Sequence, residues 1–247
     1  MSNRIAAKLL AEFIGTFALI FIGAGAAAVV GGAGLAGVAA IAFAHGLTVM
    51  AFAFAYGPVS GGHFNPSVTT AVLAAGAMRA GEAAGYILSQ LVGGLLGALL
   101  LGAVLGGAET GLGTPMLAHN LSLGATTLTV TPWAGYVIEA VLGFFLSTVV
   151  LGTAVAGRAG NLAPLAIGMT LVLNIIMGGP LTGAAFNPAR ALGPMVATGN
   201  FSDAWLYLTA PIVGAIVAAI LHTGLARLAQ ERMASAGPRT AARTPAE

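Results

Sequence analysis

Two related stretches decide the fold: Ser60-Gly61-Gly62-His63-Phe64-Asn65-Pro66-Ser67 and Thr182-Gly183-Ala184-Ala185-Phe186-Asn187-Pro188-Ala189-Arg190. Each lies in apolar sequence and contains Asn-Pro followed by a small residue. Asn is a favoured N-cap. Pro at the first helical position loses no hydrogen bond, because an N–H there would have no intrahelical partner. Both stretches therefore predict a helix that starts at the proline.

The composition indicates a membrane protein. Of the 247 residues, 58% are hydrophobic and 6% are charged, whereas a soluble domain has roughly 25% charged residues. Residues 13–78 contain no Asp, Glu, Lys or Arg. The scattered basic residues argue against nucleic acid as a partner, and the absence of Cys excludes disulfides and Cys-based metal sites. No catalytic motif or metal cluster is evident, so we expect neither an enzyme nor a cofactor.

Apolar helices of about 20 residues cross the ~30 Å hydrocarbon core of a bilayer. The sequence predicts six such spans, at Lys8–Val30, Leu35–Tyr56, Gly85–Val104, Trp133–Val155, Leu162–Met177 and Ala204–Ala226. Two further apolar pieces, Pro66–Ala77 and Pro188–Ala197, are too short to span and are predicted to be re-entrant half-helices. The 106–132 stretch receives no assignment.

The two halves of the chain repeat each other. The segment Ala11-Glu12-Phe13-Ile14-Gly15-Thr16-Phe17 resembles Ile138-Glu139-Ala140-Val141-Leu142-Gly143-Phe144, and Asn65 recurs as Asn187. Each half has three spans, an odd number, so the second half enters the membrane from the opposite side. The predicted fold is an all-α membrane protein with six transmembrane helices plus two re-entrant half-helices in an inverted repeat, with its site near the midplane.

We expect one domain over residues 1–230, with repeats at about 8–105 and 133–228, and a disordered cytoplasmic tail over residues 231–247. Eight of the nine Lys and Arg residues fall on one side of the six-span arrangement, and Arg190 is the exception. By the positive-inside rule both termini are cytoplasmic. The predicted setting is a multi-pass protein in the lipid bilayer of the cell membrane.

The predicted half-helices bring two N-termini together at mid-membrane. Each helix macrodipole places roughly half a positive charge there, and the amide groups of Asn65 and Asn187 can donate hydrogen bonds. Irregular backbone is tolerated at that depth only against protein or a water-filled cavity. Such a field repels cations, including hydronium, and lets a neutral dipolar molecule pass. An ordinary turn is the alternative, but two motifs at matching repeat positions favour a pore.

Small residues occupy the loop that precedes each Asn-Pro motif. They allow extended backbone to turn carbonyl oxygens toward a lumen as acceptors, and simple turn chemistry explains them equally well. The candidate pore carbonyls are those of Gly61, Gly62, His63, Gly183 and Ala185.

Two acids, Glu12 and Glu139, occupy equivalent positions in the first and fourth spans. A buried carboxylate in a membrane must find donors, and we expect backbone N–H groups of the re-entrant loops to supply them. Both acids would then be buttresses of the loops. The alternative is a proton relay, as in pumps; the pseudo-symmetric placement favours the buttress.

Arg190 lies one helical turn beyond the second motif asparagine, and burying it costs at least ~2.5–3.5 kcal/mol on insertion scales. A lumen-facing arginine donates to passing oxygens and repels cations; the alternative is an ion pair with Asp203 or Glu109. His45 in the second span either lines the pore or bonds to a neighbouring helix. His63 is expected to orient its loop.

These residues resemble the aquaporin, or major intrinsic protein, family over about residues 8–228. The matching features are the early and mid-chain glutamates, Ser-Gly-Gly-His-Phe-Asn-Pro, and Asn-Pro-Ala-Arg followed by Gly193-Pro194. The resemblance implies a monomer with its own pore, assembly as a homotetramer, and passive conduction without a cofactor that excludes protons. The pore motifs are then Asn65-Pro66-Ser67 and Asn187-Pro188-Ala189.

The resemblance also implies an outer selectivity filter of four side chains. One lies twenty residues before the first motif asparagine, two lie twelve and three residues before the second, and the last is the arginine. Here they are His45, Ile175, Ala184 and Arg190. This set is similar to that of some plant vacuolar-membrane aquaporins, which pass water and often ammonia, urea or hydrogen peroxide.

The chain departs from the family pattern in three places. Ser67 stands where the first motif usually ends in Ala, Ala191 stands where glycerol facilitators carry Asp, and Tyr207-Leu208 replaces the Tyr-Trp or Phe-Trp of strict water channels. The favoured hypothesis is a passive channel for water and small neutral solutes. The alternatives are a glycerol-type facilitator, a proton-coupled transporter and a structural membrane protein with negligible permeability.

Overall fold

The computed structural model describes residues 3–31 and 34–235. The helices are α1 (Asn3–Ala18), α2 (Gly25–Val30), α3 (Gly34–Ser60), α4 (Pro66–Ala74), α5 (Ala80–Val104), α6 (Pro132–Val150), α7 (Ala163–Thr182), α8 (Pro188–Thr198) and α9 (Ala204–Ser235). A π-helical segment, Leu19–Ala24, joins α1 to α2, and a second, Leu151–Val155, extends α6. Short 3₁₀ turns occupy Gly111–Gly113 and Gly160–Leu162.

The predicted arrangement of six spans and two half-helices is confirmed. Six helical stretches of the described chain are long and apolar enough to cross a membrane: the α1–α2 unit, α3, α5, α6 with its π-helical extension, α7 and α9. The short helices α4 and α8 begin at Pro66 and Pro188, as the Asn-Pro motifs predict. The chain therefore alternates spans and half-helices in the order expected of an inverted repeat.

Several predicted boundaries were wrong by a few residues. Helix α7 has 20 residues rather than the short span expected, and it continues through Pro180 to Thr182. Helix α9 reaches Ser235, beyond the predicted domain end at residue 230, because the Ala, Arg, Leu and Glu that follow the apolar stretch are good helix formers. Residues 236–247 of the predicted tail lie outside the described residues.

The unassigned segment between α5 and α6 forms a loop with its own small structure. After the turn Gly111–Gly113, strands β1 (Leu121–Leu123) and β2 (Thr126–Leu128) pair antiparallel, with Leu121 opposite Leu128. We call the end of the bundle that carries this hairpin the hairpin face. The end that carries Asn3 and the C-terminal part of α9 is the terminal face.

Helix contacts follow the inverted repeat. In the first half α1 packs on α5, and in the second α6 packs on α9 in the same way. Each half-helix packs on a span of the other half, since α8 lies on α5 and α4 lies on α9. At the centre α3 crosses α7, where a Cβ on Gly46 would lie 2.5 Å from the Gly168 carbonyl oxygen and the reciprocal distance is 2.6 Å. Glycine therefore permits a close approach of the two halves at this crossing.

The outer surface of the bundle is apolar, as the bilayer requires. Large side chains such as Leu88, Val137, Leu173 and Ile220 are 59–65% exposed at mid-helix positions. The interior instead holds polar groups, among them Glu12, Gln90 and Glu139, which are fully buried. This distribution is the reverse of a soluble helical bundle and fits a protein surrounded by lipid.

The crossing of α6 and α9 gives a test of this packing. A Cβ on Gly214 would lie 1.9 Å from the backbone oxygen of Ala140, so Gly214→Val must push the helices apart. We expect a large drop in the melting temperature of the detergent-purified protein, because overpacking costs typically 1–3 kcal/mol or more. Gly224→Val in the same helix is the control, since nothing lies within 4 Å of its Cβ position. Equal melting temperatures for the two variants would contradict the packing described.

Candidate pore

The two half-helices meet through reciprocal hydrogen bonds of their capping asparagines. Asn65 Nδ2 donates to the carbonyl oxygen of Phe186 over 3.0 Å, and Asn187 Nδ2 donates to the carbonyl oxygen of Phe64 over 2.9 Å. Both asparagines are 3% exposed. The predicted meeting of the two N-termini is therefore found, and each half of the chain supplies the partner for the other.

Each asparagine also caps its own half-helix. Asn65 Oδ1 accepts from the backbone N–H of Ser67 at 2.8 Å, and Asn187 Oδ1 accepts from those of Ala189 and Arg190 at 3.0 and 3.2 Å. These bonds orient both amides with nitrogen toward the junction. An amide nitrogen carries two hydrogens, and the Phe carbonyl uses one of them. The second N–H of each asparagine is available to a molecule in the lumen.

Ser67 makes the junction asymmetric. Its buried hydroxyl lies 2.9 Å from Asn65 Oδ1 and 3.2 Å from the Phe186 carbonyl oxygen. Ala189, the equivalent residue of the second motif, has no hydroxyl to match it. The first half thus contributes one more donor to the junction than the second half does.

A narrow cavity of about 20 Å³ lies beside the two asparagines. Its wall consists of apolar side chains from several spans and of backbone and side chains from both re-entrant loops. The lining residues are Leu19, His45, Val49, Gly62, His63, Phe64, Asn65, Val68, Leu146, Val150, Ile167, Leu171, Ala184, Ala185, Phe186, Asn187 and Arg190. The lining therefore combines apolar side chains with polar side chains and loop backbone.

A wider vestibule of about 680 Å³ opens on the hairpin face, and Arg190 lines both spaces. Of the four predicted filter residues, His45, Ala184 and Arg190 line the narrow cavity, whereas Ile175 lines the vestibule beside Arg190. The predicted filter therefore stands where the vestibule narrows into the cavity.

The predicted carbonyl residues divide between the same two spaces. Gly62, His63 and Ala185 line the cavity, and Gly183 lines the vestibule. Of these five predicted residues, all within the described chain, Gly61 lines neither space. It turns the end of α3 into the loop with φ of 93°, which is turn chemistry rather than a lumen contact.

Arg190 is held by the backbone of the hairpin-face loop. Its Nη1 donates to the carbonyl oxygen of Gly113 over 2.7 Å, and its side chain is 4% exposed. No ion pair joins it to Asp203 or Glu109, all three being described residues. Arg190 Nε is buried without a hydrogen-bond partner among the described residues. The guanidinium therefore has at least one N–H donor that no described residue uses.

His45 is fixed by its own helix. Nδ1 lies 2.9 Å from the carbonyl oxygen of Ile41, and because a carbonyl only accepts, Nδ1 carries the proton. Nε2 is buried and has no partner among the described residues. In the neutral ring Nε2 is an acceptor, so the filter combines an acceptor on α3 with the donors of Arg190.

Glu12 is a buttress of the first loop. Its Oε1 accepts from the Ser60 hydroxyl at 2.6 Å and from the His63 N–H at 3.0 Å; its Oε2 accepts from the Phe64 N–H at 2.7 Å and from Gln90 Nε2 at 2.7 Å. Phe64 has φ of 49°, a strained left-handed conformation for a bulky residue. The carboxylate holds that strained turn in place.

Glu139 repeats these contacts in the second loop. Its Oε1 accepts from the Thr182 hydroxyl at 2.6 Å and from the Ala185 N–H at 3.0 Å, and its Oε2 accepts from the Phe186 N–H at 2.5 Å. Phe186 has φ of 30°, again left-handed. Both acids are fully buried, and all their contacts go to loop or scaffold groups, which is the geometry expected of the buttress reading.

Three further side chains support the loops and were missed from the sequence. Tyr86 and Tyr207 occupy equivalent positions, and each hydroxyl donates over 2.7 Å to the last carbonyl before its loop, that of Ser60 or of Thr182. Gln90 bonds both Glu12 and Thr69. A lone Tyr or Gln in an apolar helix gives no sequence signal of its partner, although the spacing of the two tyrosines within the repeats was available.

His63 lies in the first loop with Nδ1 3.1 Å from the Thr69 hydroxyl oxygen. The Thr69 hydroxyl donates to the carbonyl oxygen of Asn65 over 3.1 Å and accepts from Gln90. The imidazole is thus tied to the first turn of α4, as expected for a residue that orients its loop, and it also lines the cavity.

The hairpin-face loop was also missed as a part of the site. Leu112 is 1% exposed with φ of 48°, and it packs near Gly102 of α5. This anchor places the next carbonyl, that of Gly113, against Arg190. A left-handed leucine has no sequence signature, because its conformation is imposed by tertiary packing.

The polar groups of the site can form hydrogen bonds with a small neutral molecule. Among the described residues no group of three His, Cys, Asp or Glu side chains could hold a metal ion. The lumen offers amide and guanidinium donors, an imidazole acceptor and loop backbone along one wall. Such a path can exchange hydrogen bonds with a small polar molecule in passage.

Comparison with known proteins identifies relatives along nearly the whole chain. The family described as Major intrinsic protein matches residues 1–222. "Aquaporin NIP1-2" of Oryza sativa subsp. japonica is 38% identical over 214 residues, which cover 85% of this chain and 69% of that protein. "Glycerol uptake facilitator protein-like 6" of Lactiplantibacillus plantarum is 37% identical over 221 residues, covering 86% of this chain and 94% of the relative.

"Nodulin-26" of Glycine max is 38% identical over 217 residues, covering 87% of this chain and 76% of that protein. Among solved structures, the aquaglyceroporin from Plasmodium falciparum superposes with a TM-score of 0.78 at 23% identity, covering 92% of this chain and 99% of that one. At that identity the likeness concerns the fold alone.

The buttress reading predicts the effect of removing one carboxylate. Glu139→Ala leaves one hydroxyl and two backbone N–H groups buried without their acceptor, each worth about 1–3 kcal/mol. We expect a melting temperature far below that of the parent protein. Glu82→Ala is the control, since its ion pair with Lys8 is partly exposed and such pairs contribute about 0–1 kcal/mol. A Glu139→Ala protein as stable as the control would rule the buttress out.

The carbonyl of Gly113, which accepts a hydrogen bond from Arg190, gives a second testable prediction. A Cβ on Gly113 would lie 2.6 Å from the backbone oxygen of Ala24 at φ of 66°, so Gly113→Val must move the carbonyl that holds Arg190. We expect an altered ratio of urea to water permeability in stopped-flow measurements on proteoliposomes. Gly111→Val is the matched control, with a similar φ of 71° but nothing within 4 Å. The same ratio in both variants would show that the carbonyl does not set the filter.

Proposed function

The chain belongs to the major intrinsic protein family, and from this premise we propose that it is a passive channel for water and small neutral solutes. The single observation that carries the proposal is the junction of Asn65 and Asn187 beside a lined cavity. Both asparagines line that cavity, and each uses only one of its two amide hydrogens in the junction. The names of the aquaporin relatives agree with this activity.

Passage is proposed to proceed by exchange of hydrogen bonds. A water molecule that leaves the vestibule meets Arg190 and the Nε2 acceptor of His45, and then the free N–H groups of the two asparagines. The apolar lining residues, such as Val49 and Leu146, offer no competing hydrogen-bond partner. Binding is then strong enough for entry and weak enough for exit, as conduction requires.

Cations are proposed to be excluded by fixed positive charge. Helices α4 and α8 direct their N-termini at the same point, and each contributes roughly half a positive charge. Arg190 adds a full charge at the entrance from the vestibule. Neither Glu12 nor Glu139, both described residues, lines the cavity to offset that charge. Hydronium and metal cations therefore meet an electrostatic barrier that a neutral molecule does not.

The solute range is proposed from the filter. His45, Ile175, Ala184 and Arg190 combine two polar and two apolar groups, and Ile with Ala leaves more room than Phe with His would. We propose that ammonia and hydrogen peroxide pass with water, and that urea passes more slowly. The imidazole acceptor suits the N–H groups of ammonia and urea, and Arg190 suits the oxygens of peroxide and urea.

A glycerol-type facilitator is the second candidate, favoured by the relative named for glycerol uptake. Ala191, the residue after the filter arginine, is fully buried and contributes no polar group to the lumen. The proposed order is therefore water before glycerol. A proton-coupled transporter is disfavoured, because both candidate carboxylates bond loop groups from positions outside the cavity.

Assembly and orientation are proposed from the family and the charges. We propose a homotetramer in which each monomer keeps its own pore. The groove between α6 and α7, lined by Val137, Val141, Phe145 and Leu173, offers apolar surface to a neighbour. Both termini are proposed to be cytoplasmic. The hairpin face then lies on the extracellular side of the cell membrane, since it carries few basic residues.

A flux panel on purified protein tests the proposal. In proteoliposomes we expect water, ammonia and hydrogen peroxide fluxes well above those of empty liposomes, with urea lower and glycerol lowest. Arg190→Ala should raise urea and glycerol permeability severalfold, because it widens the entrance and removes a charge. Arg158→Ala on the loop between α6 and α7 is the control and should leave the panel unchanged.

Three results would count against the proposal. Fluxes no higher than those of empty liposomes favour a structural role. Uptake driven by a pH gradient and lost in Glu12→Gln favours a transporter. An Arg190→Ala panel identical to that of the parent protein removes the filter assignment.

A further inference from the structure

Gly23 lies against the imidazole of His45. Because Gly23 has no side chain, the imidazole ring can occupy the space beside it. A Cβ on Gly23 would lie 2.6 Å from His45 Cδ2, 2.8 Å from Cγ and 2.8 Å from Nε2. Real Cβ atoms do not approach other atoms so closely, so the ring occupies the volume that any larger residue would fill. Gly23 belongs to the π-helical segment Leu19–Ala24, outside the motifs that the sequence singled out.

We propose that Gly23 is a positioning residue that sets the width of the filter through His45. This inference rests on the proposed channel function. The three short distances are nearly equal, so a Cβ would sit over one face of the ring and push it away from the first span. His45 is 3% exposed and already packed, and the empty space beside it is the cavity that it lines. The ring therefore moves toward the lumen.

The hydrogen bond of His45 limits the direction in which the ring can move. Nδ1–H donates to the Ile41 carbonyl oxygen over 2.9 Å, which ties one side of the ring to α3. The ring can thus pivot about that bond rather than swing away from the channel. With Arg190 held by Gly113 on the other side, a small displacement of the imidazole narrows the opening between them.

The second repeat shows what stands at the equivalent positions. Gly23 comes eleven residues after Glu12, and Val150 comes eleven after Glu139; His45 comes twenty before Asn65, and Ile167 comes twenty before Asn187. Val150 and Ile167 both line the cavity. One half of the repeat therefore carries two branched aliphatic residues where the other carries a glycine and a histidine, so the recess for a ring exists in the first half only.

The test compares Gly23→Ala, His45→Ala and the double variant in proteoliposomes, with stopped-flow measurement of water, urea and glycerol. We expect Gly23→Ala to lower the urea-to-water permeability ratio severalfold. In the His45→Ala background the same change should have no effect on the ratio, because residues that act through one contact are not additive. Gly25→Ala is the matched control: its Cβ would meet only the flexible end of Leu101, at 3.2 Å.

A glycine that only supports the fold would not change the ratio of the permeabilities of two solutes. The ratio therefore distinguishes a positioning role of Gly23 from a purely structural one. An unchanged ratio in Gly23→Ala, an equal change in Gly25→Ala, or a change that persists without His45 each overturns the inference. Should Gly23→Ala fold poorly, the double variant must recover the melting temperature of His45→Ala, and failure to recover it also overturns the inference. A parent protein without water flux would instead refute the proposed function, while the melting temperatures would still test the contact.

Discussion

The structure depends on two reciprocal hydrogen bonds at its centre, from the amides of Asn65 and Asn187 to the carbonyl oxygens of Phe186 and Phe64. They join helices that approach from opposite faces, and no hydrophobic force holds such ends together in lipid. The phenylalanine turns are left-handed and strained, at a cost of about 1–3 kcal/mol each. Two buried carboxylates offset that cost by accepting the N–H groups of the same turns.

This construction explains the polar groups at the centre of the lumen. The half-helices and their loops must leave regular hydrogen bonding to meet at the midplane, and irregular backbone survives there only where protein or water satisfies it. The complete spans have no such need, and they present mainly Leu, Val and Ile to the cavity, with His45 of α3 as the polar exception. The polar loop groups at the junction are thus a consequence of breaking two helices.

Much of the fold and part of the site could be predicted from the sequence. Asn-Pro fixes the start of a helix by local chemistry, so Pro66 and Pro188 were correct to the residue, and composition alone located the spans. Glu12 and Glu139 could be singled out because a buried charge in lipid must find donors, and loop N–H groups do donate to both. Span ends were less accurate, since hydropathy falls before helix propensity does, as at the end of α9.

Other features are set by tertiary contact and leave no local pattern. The left-handed Leu112, the carbonyl of Gly113 that holds Arg190, and the recess at Gly23 depend on which helices lie nearby. Ile175, grouped with the filter from the sequence, lines the vestibule together with Arg190, whereas His45 and Ala184 line the narrow cavity. Gln90, which bonds Glu12, has Pro211 as its counterpart in the repeat, so symmetry alone could not reveal it.

The reciprocity of the central bonds has a consequence for biogenesis. When the ribosome has made residues 1–105, the first half has a complete set of spans, but the carbonyl that receives Asn65 belongs to Phe186, which has not yet been synthesised. Asn65 therefore gains its bonding partner only after the second loop has been made and inserted. A chain truncated before residue 186 lacks both reciprocal bonds.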